Sequence, residues 1–216
     1  MKKDYIETKQ GMYKSIELLK NYYMSKILKH IDTLPGMRVL DIGCGYGYLL
    51  KLFDELGFET YGIDISEDAI KKARKITKAK VFVYDVNNGL SIFSDEFFDL
   101  ITLFDVIEHL YSPYNVLKET HRILKKGGKI FITTPNLNSI VRLIKKFLKK
   151  EELWYAYTDP THVYLFTPSS LRFLVRRIGF KIVELETPFY LLPKSLQKIF
   201  NKSGLGGQIW LVASKE

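Results

Sequence analysis

The chain holds one cysteine in 216 residues, Cys44. A lone thiol excludes an intramolecular disulfide and fits a reducing compartment, so the expected location is cytoplasmic. It also leaves no second thiol at zinc spacing, and the four histidines are scattered along the sequence, so no metal site is expected. Only a weak Mg²⁺ held by carboxylates stays open. There is no long apolar run at the N-terminus, which argues against a signal peptide, and no window approaches a membrane-spanning length. Internal repeats and low-complexity segments are lacking as well.

What remains is the composition of an ordinary globular protein, 46% hydrophobic and 26% charged. The length suits one domain with embellishments. The net charge of +9 fits either an acidic partner, such as nucleic acid or an anionic membrane, or simply a solvated lysine-rich surface. The basic amphipathic stretch 137–150, with lysines beside Ile140, Leu143, Ile144, Phe147 and Leu148, reads as a lid helix or as a peripheral contact with anionic lipid.

The chain is organised around Val39-Leu40-Asp41-Ile42-Gly43-Cys44-Gly45-Tyr46-Gly47. An apolar run enters a glycine-dense turn and an amphipathic run leaves it, which predicts strand, tight loop and helix. Glycines there permit positive φ and let a ligand approach the backbone. The helix start adds N–H donors and a positive dipole end. A dinucleotide site wants G-x-G-x-x-G. Counting from Gly43, its third glycine falls on Tyr48, which disfavours a nicotinamide-dependent dehydrogenase.

Strand and helix signals alternate from 38 to 133, which predicts an α/β fold with a doubly wound, mostly parallel sheet. Ser66, Ser112-Pro113 and Thr167-Pro168 open helices. Gly57, the pair Gly127-Gly128 and Gly179 are expected to close them. An amphipathic helix over about 13–31 predicts an N-terminal cap, residues 1–36. Residues 37–216 form the main domain, with lid insertions near 137–166 and 188–207. Acids stand at three predicted strand ends: Asp41, Asp64 and Asp85. Ligands in open α/β sheets bind at that edge, and an acid about twenty residues past the loop can accept both ribose hydroxyls.

The D-x-G-x-G-x-G pattern at 41–47 resembles motif I of the class I S-adenosylmethionine-dependent methyltransferases. Gly62-Ile63-Asp64-Ile65-Ser66 and Tyr84-Asp85-Val86 resemble the family's second and third motifs. The stretch Phe98 to Leu110 is close to the fourth-strand motif of the ubiquinone-biosynthesis O-methyltransferase type. The resemblance implies a Rossmann-like, seven-stranded class I methyltransferase fold. It implies S-adenosyl-L-methionine as cofactor and S-adenosyl-L-homocysteine as product. Carried over, Asp64 binds ribose, Ile65 packs on adenine, and Asp85 and the Val86 N–H take the adenine edge. The Gly43 and Phe104 backbones hold the methionine part beside Gly45 and Gly47. Asp41 orders the loop and faces the ammonium, directly or through water.

On the acceptor side an oxygen nucleophile needs positioning and a base. His109 follows the fourth strand, and His162 sits in Asp159-Pro160-Thr161-His162, which resembles a segment that closes over the substrate pocket. Each is a candidate base or a residue that fixes its loop. Tyr155, Tyr157 and Tyr164 are candidate acceptor-pocket or packing residues, and Tyr22 or Tyr23 on the N-terminal helix is a candidate for capping the cofactor pocket. His30 and His121 read as structural or surface residues. The resulting expectation is methyl transfer to a small-molecule acceptor. An RNA or tRNA methyltransferase and a non-catalytic S-adenosylmethionine-binding subunit are the alternatives. Phe104-Asp105-Val106-Ile107 lacks the Asn/Asp-Pro-Pro-Phe/Tyr tetrad of base amino-methylases, and no appended RNA-binding module is present, so nucleic acid is disfavoured. Oligomeric state is not legible.

Overall fold

In a computed structural model, residues 23–32, 36–140, 142, 144, 159–189, 196, 197 and 200–216 are described. The chain divides into two compact units, Met1–Val86 and Asn87–Glu216. Tyr22, Tyr155, Tyr157 and most of the basic stretch 141–150 lie outside the described residues, as does most of the proposed N-terminal helix. The part of that helix that is described is α1, Ser25–Leu28, with Ile27 buried.

The first unit is built on β1 (Arg38–Ile42), α2 (Tyr48–Glu55), β2 (Glu59–Asp64), α3 (Glu67–Ile76) and β3 (Lys80–Val83). β1 pairs with β2 and β2 with β3, all parallel. The connections are short because the caps are local. Gly57 takes φ +81° after α2, and the Ser66 hydroxyl accepts the Ala69 N–H at 3.2 Å to open α3. Cys44, Leu50, Ile70, Ala73 and Val81 pack into one apolar cluster under the glycine loop. Gly62 has to be glycine there, since a Cβ would stand 2.5 Å from Leu50 Cδ1. Asp54 on α2 ties three elements: it accepts the Thr60 and Thr77 hydroxyls and the Lys78 N–H.

The second unit carries β4 (Phe98–Phe104), α4 (Pro113–Ile123), β5 (Leu124–Pro135), α5 (Pro168–Ile178), β6 (Phe180–Glu186) and β7 (Gln208–Lys215). β4 and β5 are parallel, while β7 runs antiparallel to both β5 and β6. α5 opens on a capping box between Thr167 and Ser170 and closes at Gly179, φ +114°. The strand order β3-β2-β1-β4-β5-β7-β6 makes one seven-stranded, mostly parallel sheet, the fold class the alternation predicts. Among the described residues no helix is long and apolar enough to cross a membrane.

One helix end differs from expectation. α4 stops at Ile123, before the glycine pair, and the chain is already paired at Leu124 opposite Phe98. The register then shifts, resuming at Lys129 opposite Leu100. Gly127 (φ +76°) and Gly128 lie in that detour, where a Cβ on Gly128 would meet the Lys125 carbonyl oxygen at 2.8 Å. Lys215 from β7 closes α4 instead, its Nζ donating to the Leu124 carbonyl at 2.8 Å.

Candidate active site

The glycine loop sits between β1 and α2. Gly43, Gly45 and Gly47 all have positive φ, at +75°, +52° and +79°. Their amides turn inward. The Gly43 and Cys44 N–H groups donate to the Ile63 carbonyl at 2.8 and 3.1 Å, and the Gly47 N–H to Cys44 O at 2.9 Å. The Gly45 N–H donates to Asp64 Oδ2 at 2.8 Å. The loop therefore offers a shape and a carboxylate rather than a row of open amides. Its glycines also differ in purpose. A Cβ on Gly45 would meet nothing within 4 Å, so this position faces open space. A Cβ on Gly47 would press on Ala73 Cβ at 2.9 Å, so Gly47 serves the packing of the loop on α3.

Asp64 closes β2. Its Oδ1 accepts the Ser66 N–H at 2.8 Å, so each carboxylate oxygen holds one backbone amide. Each oxygen keeps a second lone-pair direction for another donor. Burial pushes the Asp64 carboxyl above its usual range, opposed by the Ser66 and Gly45 amides. Ile65, next in sequence, is 59% exposed. An open glycine shelf, a half-buried carboxylate and a bare aliphatic side chain fit a nucleoside: sugar hydroxyls on the acid, base on the apolar surface.

Asp41 lies one residue inside β1 and is 4% exposed. Asp85 follows β3 by two residues, and Val86 begins a short 3₁₀ turn and is buried. Cys44 is buried, and burial pushes its thiol well above the ordinary value, helped by the Asp41 and Asp64 charges. It reads as packing rather than chemistry.

In the second unit the polar groups gather behind β4. Phe104 ends the strand with its ring 5.3 Å from Trp210. Asp105 follows at φ +53°, with its N–H on Thr133 O and its Oδ1 accepting from Gln208 Nε2 at 2.9 Å. Such left-handed backbone at a non-glycine residue is held only where its surroundings fix it. A 3₁₀ turn, Ile107–His109, comes next. Glu108 is 1% exposed, and its Oε2 accepts the Thr134 hydroxyl at 2.9 Å. Its carbonyl accepts the Val163 and Tyr164 N–H groups at 2.8 and 3.1 Å, which straps the 159–166 segment onto this turn.

His162 is on that strap. Its ring meets His109 edge to face, with centroids 4.7 Å apart. Two of the four histidines are thus together, contrary to the scattering seen along the sequence. His109 Nδ1 lies 3.0 Å from Thr161 Oγ1 and 3.1 Å from Thr161 O. His121 packs edge to face on Phe180 at 4.8 Å, and His30 stands just past α1. Tyr23 is buried, and Tyr164 is half-exposed beside Phe166. Glu108, Thr134 and Thr161 are additions that motif reading missed. The signal for the first was present, an acid next to a histidine closing an apolar strand.

A family model described as a methyltransferase domain matches residues 17–185. The chain belongs to this family. It is 35% identical over 135 residues to the ubiquinone biosynthesis O-methyltransferase of Glaesserella parasuis, covering 59% of this chain and 57% of that protein. The enzyme of the same name from Burkholderia thailandensis is 28% identical over 167 residues, 71% of this chain and 68% of that one. The chain thus spans little more than half the length of the first of these curated relatives. Among solved structures, a SAM-dependent methyltransferase from Archaeoglobus fulgidus is 26% identical with a TM-score of 0.72, covering 98% of this chain and 99% of that one. The chain is a methyltransferase domain of the kind that uses S-adenosylmethionine.

Proposed function

We propose that the protein moves the methyl group of S-adenosylmethionine to an oxygen of a small molecule: a phenol, a sugar, or a quinone-like or lipid-linked hydroxyl. The observation that carries this is the cluster of Glu108, His109 and His162 behind β4, a half-buried group able to hold and deprotonate a hydroxyl. The relatives named as O-methyltransferases support the same acceptor class.

In this reading the bound sulfonium supplies an already activated methyl group. Asp64 accepts the ribose hydroxyls on the lone pairs its backbone partners leave. Ile65 covers one face of the adenine, and Asp85 with the Val86 N–H takes its edge. Asp41 keeps the loop in register. His109 and His162 hold the acceptor hydroxyl and handle its proton, and the 159–166 strap limits water.

Calorimetry with S-adenosylhomocysteine, followed by a release assay over phenols, sugars and lipid-linked alcohols, tests the reading. An O-methylated product, identified by mass, is expected from at least one of them. Binding without turnover on any hydroxyl would make the protein a non-catalytic subunit. Salt-sensitive methylation of tRNA would move the acceptor to nucleic acid.

A further inference from the structure

The chain holds seven arginines against 26 lysines, and three of the seven stand on the 11 residues of α5. Arg172, Arg176 and Arg177 are exposed, and so is Phe173, at 66%. Helical spacing puts these four on one face. Arg176 follows Arg172 by four residues, and Arg176 and Arg177 follow Phe173 by three and four. Leu171 and Val175 fill the buried side of the helix. No acid occurs between Pro168 and Ile178. Among the described residues none of the three guanidinium groups is in an ion pair. Arg38, by contrast, is fastened to Glu59, and Arg122 to Asp95 and Glu119.

Helix stability does not account for this face. Arg176 and Arg177 lie in the last turn, where they complement the helix dipole. Arg172 lies one turn nearer the N-terminus, and like charges at i and i+4 weaken a helix. The exposed ring of Phe173 gains nothing from water. Arginine differs from lysine in the ligands it suits: its planar fork matches phosphate oxygens two at a time, and it stacks on flat rings. The make-up of the face also separates one acidic partner from another. Phe173 is the one exposed large hydrophobic residue on α5. A protein partner needs an apolar interface core, and a helix lying on a membrane needs an apolar stripe. One ring supplies neither. A lone ring among cations suits an unpaired base, which stacks on it while the neighbouring phosphates meet the guanidinium groups. α4 packs beside α5 and adds exposed Tyr114 and Lys118, four residues apart.

We propose that the exposed face of α5 is a docking surface for single-stranded nucleic acid, RNA or DNA. Phe173 is its stacking platform, and Arg172, Arg176 and Arg177 are its phosphate ligands. This binding is separate from methyl transfer and does not rest on the function proposed above: it assigns the strand a place to dock, not the methyl group. It also gives the net charge of +9 a partner. Interfaces with nucleic acid are polar and positively charged, as this face is. Stacking and phosphate contacts tolerate any base, so the surface should show little sequence preference and a strong dependence on salt.

The test needs no turnover. A labelled oligonucleotide of about 12 residues, as RNA and as DNA, is titrated with the full-length, untagged chain and followed by fluorescence anisotropy, with no S-adenosyl nucleoside present. Binding is expected, weakening as salt rises from about 50 to about 200 mM. Replacing all three arginines together (Arg172→Gln, Arg176→Gln, Arg177→Gln) should cost at least tenfold. It should also reduce the log–log salt slope by about 2, three phosphates at about 0.7 each. Phe173→Ala should weaken binding about fivefold or more with the slope unchanged, and Phe173→Trp should retain it. The four positions are exposed, so each variant should melt within a few degrees of wild type, which shows that it is folded. Binding of either strand supports the proposal, and the tighter one names the source. No binding at low salt overturns it, as does wild-type affinity in the triple variant or in Phe173→Ala. Anionic vesicles or polyglutamate bound as tightly as the oligonucleotide also overturn it, in favour of a lipid surface or an acidic protein. If the chain binds the oligonucleotide but never S-adenosylhomocysteine, the docking surface stands and the proposed methyl transfer falls.

Discussion

Asp64 does two jobs with one carboxylate. It anchors the glycine loop through Gly45 and the start of α3 through Ser66, and in the proposed function its remaining lone pairs take the ribose. Asp64→Ala should therefore hurt twice. S-adenosylhomocysteine affinity should drop by about 1–3 kcal/mol for each charged hydrogen bond lost, and the loop should lose its tether. Calorimetry at matched pH checks the first effect and thermal melting the second. Titration offers a cleaner probe. Burial raises the Asp64 pKa, while ribose hydroxyls donate most strongly to the ionised form, which accepts on both oxygens. Nucleoside affinity should fall as pH drops from 7 into the raised range, and this dependence should vanish in Asp64→Asn. Equal affinity for wild type and Asp64→Ala would mean that the ribose lies elsewhere.

At the scale of elements, Gly45 and Gly47 make a matched pair. Both have positive φ, so alanine at either costs about 1–2 kcal/mol in backbone strain. Only Gly47 also faces α3, where a Cβ would collide with Ala73, and overpacking adds about 1–3 kcal/mol. Gly47→Ala should lower Tm by roughly 10 °C in a chain of this length. Gly45→Ala should melt within a few degrees of wild type yet bind the nucleoside more weakly, because its methyl enters the open shelf. Melting curves and calorimetry on both variants separate the roles. The same contrast explains what could be read from the chain in advance. Ser66, Thr167, Gly57 and Gly179 act on their own neighbours, so each declared its helix end locally. The pair Gly127-Gly128 did not, because its role is a register shift against β4, and Lys215 from β7 closes α4. His109 and His162 meet through a strap whose anchors are backbone amides, which leave no mark in side-chain spacing. Asp54 looked like any surface acid on a helix, although it joins α2 to Thr60 and Thr77.

For the whole molecule, acid is the informative axis. Glu59 is drawn down to about 2 by Tyr61, Lys80 and Arg38. Glu67 and Glu119 are lowered by Lys71 and Arg122. A depressed carboxylate contributes stability that is complete above its unfolded pKa and lost as pH falls through the folded one. Two other groups act at higher pH with opposite signs. His121 is lowered by burial and by Lys215, so the fold weakens as pH falls below about 6.5, the usual histidine value. Asp64 is raised, so the folded state binds its proton first and the fold gains as pH falls through that raised value. These two oppose each other between about pH 6.5 and 3.9, which predicts a shallow profile there. Below that, the depressed carboxylates are the groups whose proton uptake differs between folded and unfolded chain in one direction, and Tm should fall toward pH 2. The Glu59 cluster is half-exposed, with side-chain exposures of 37% for Glu59, 39% for Arg38 and 59% for Lys80. Solvent screening therefore holds its share under about 1 kcal/mol, far below what the pKa shift alone would imply. Melting temperatures of wild type and Glu59→Gln from pH 7 to 2 check this. The variant should have a slightly lower Tm at neutral pH and a shallower acid limb, the two curves meeting near pH 2. Parallel limbs would show that the Glu59 ion pairs contribute no pH-dependent stability.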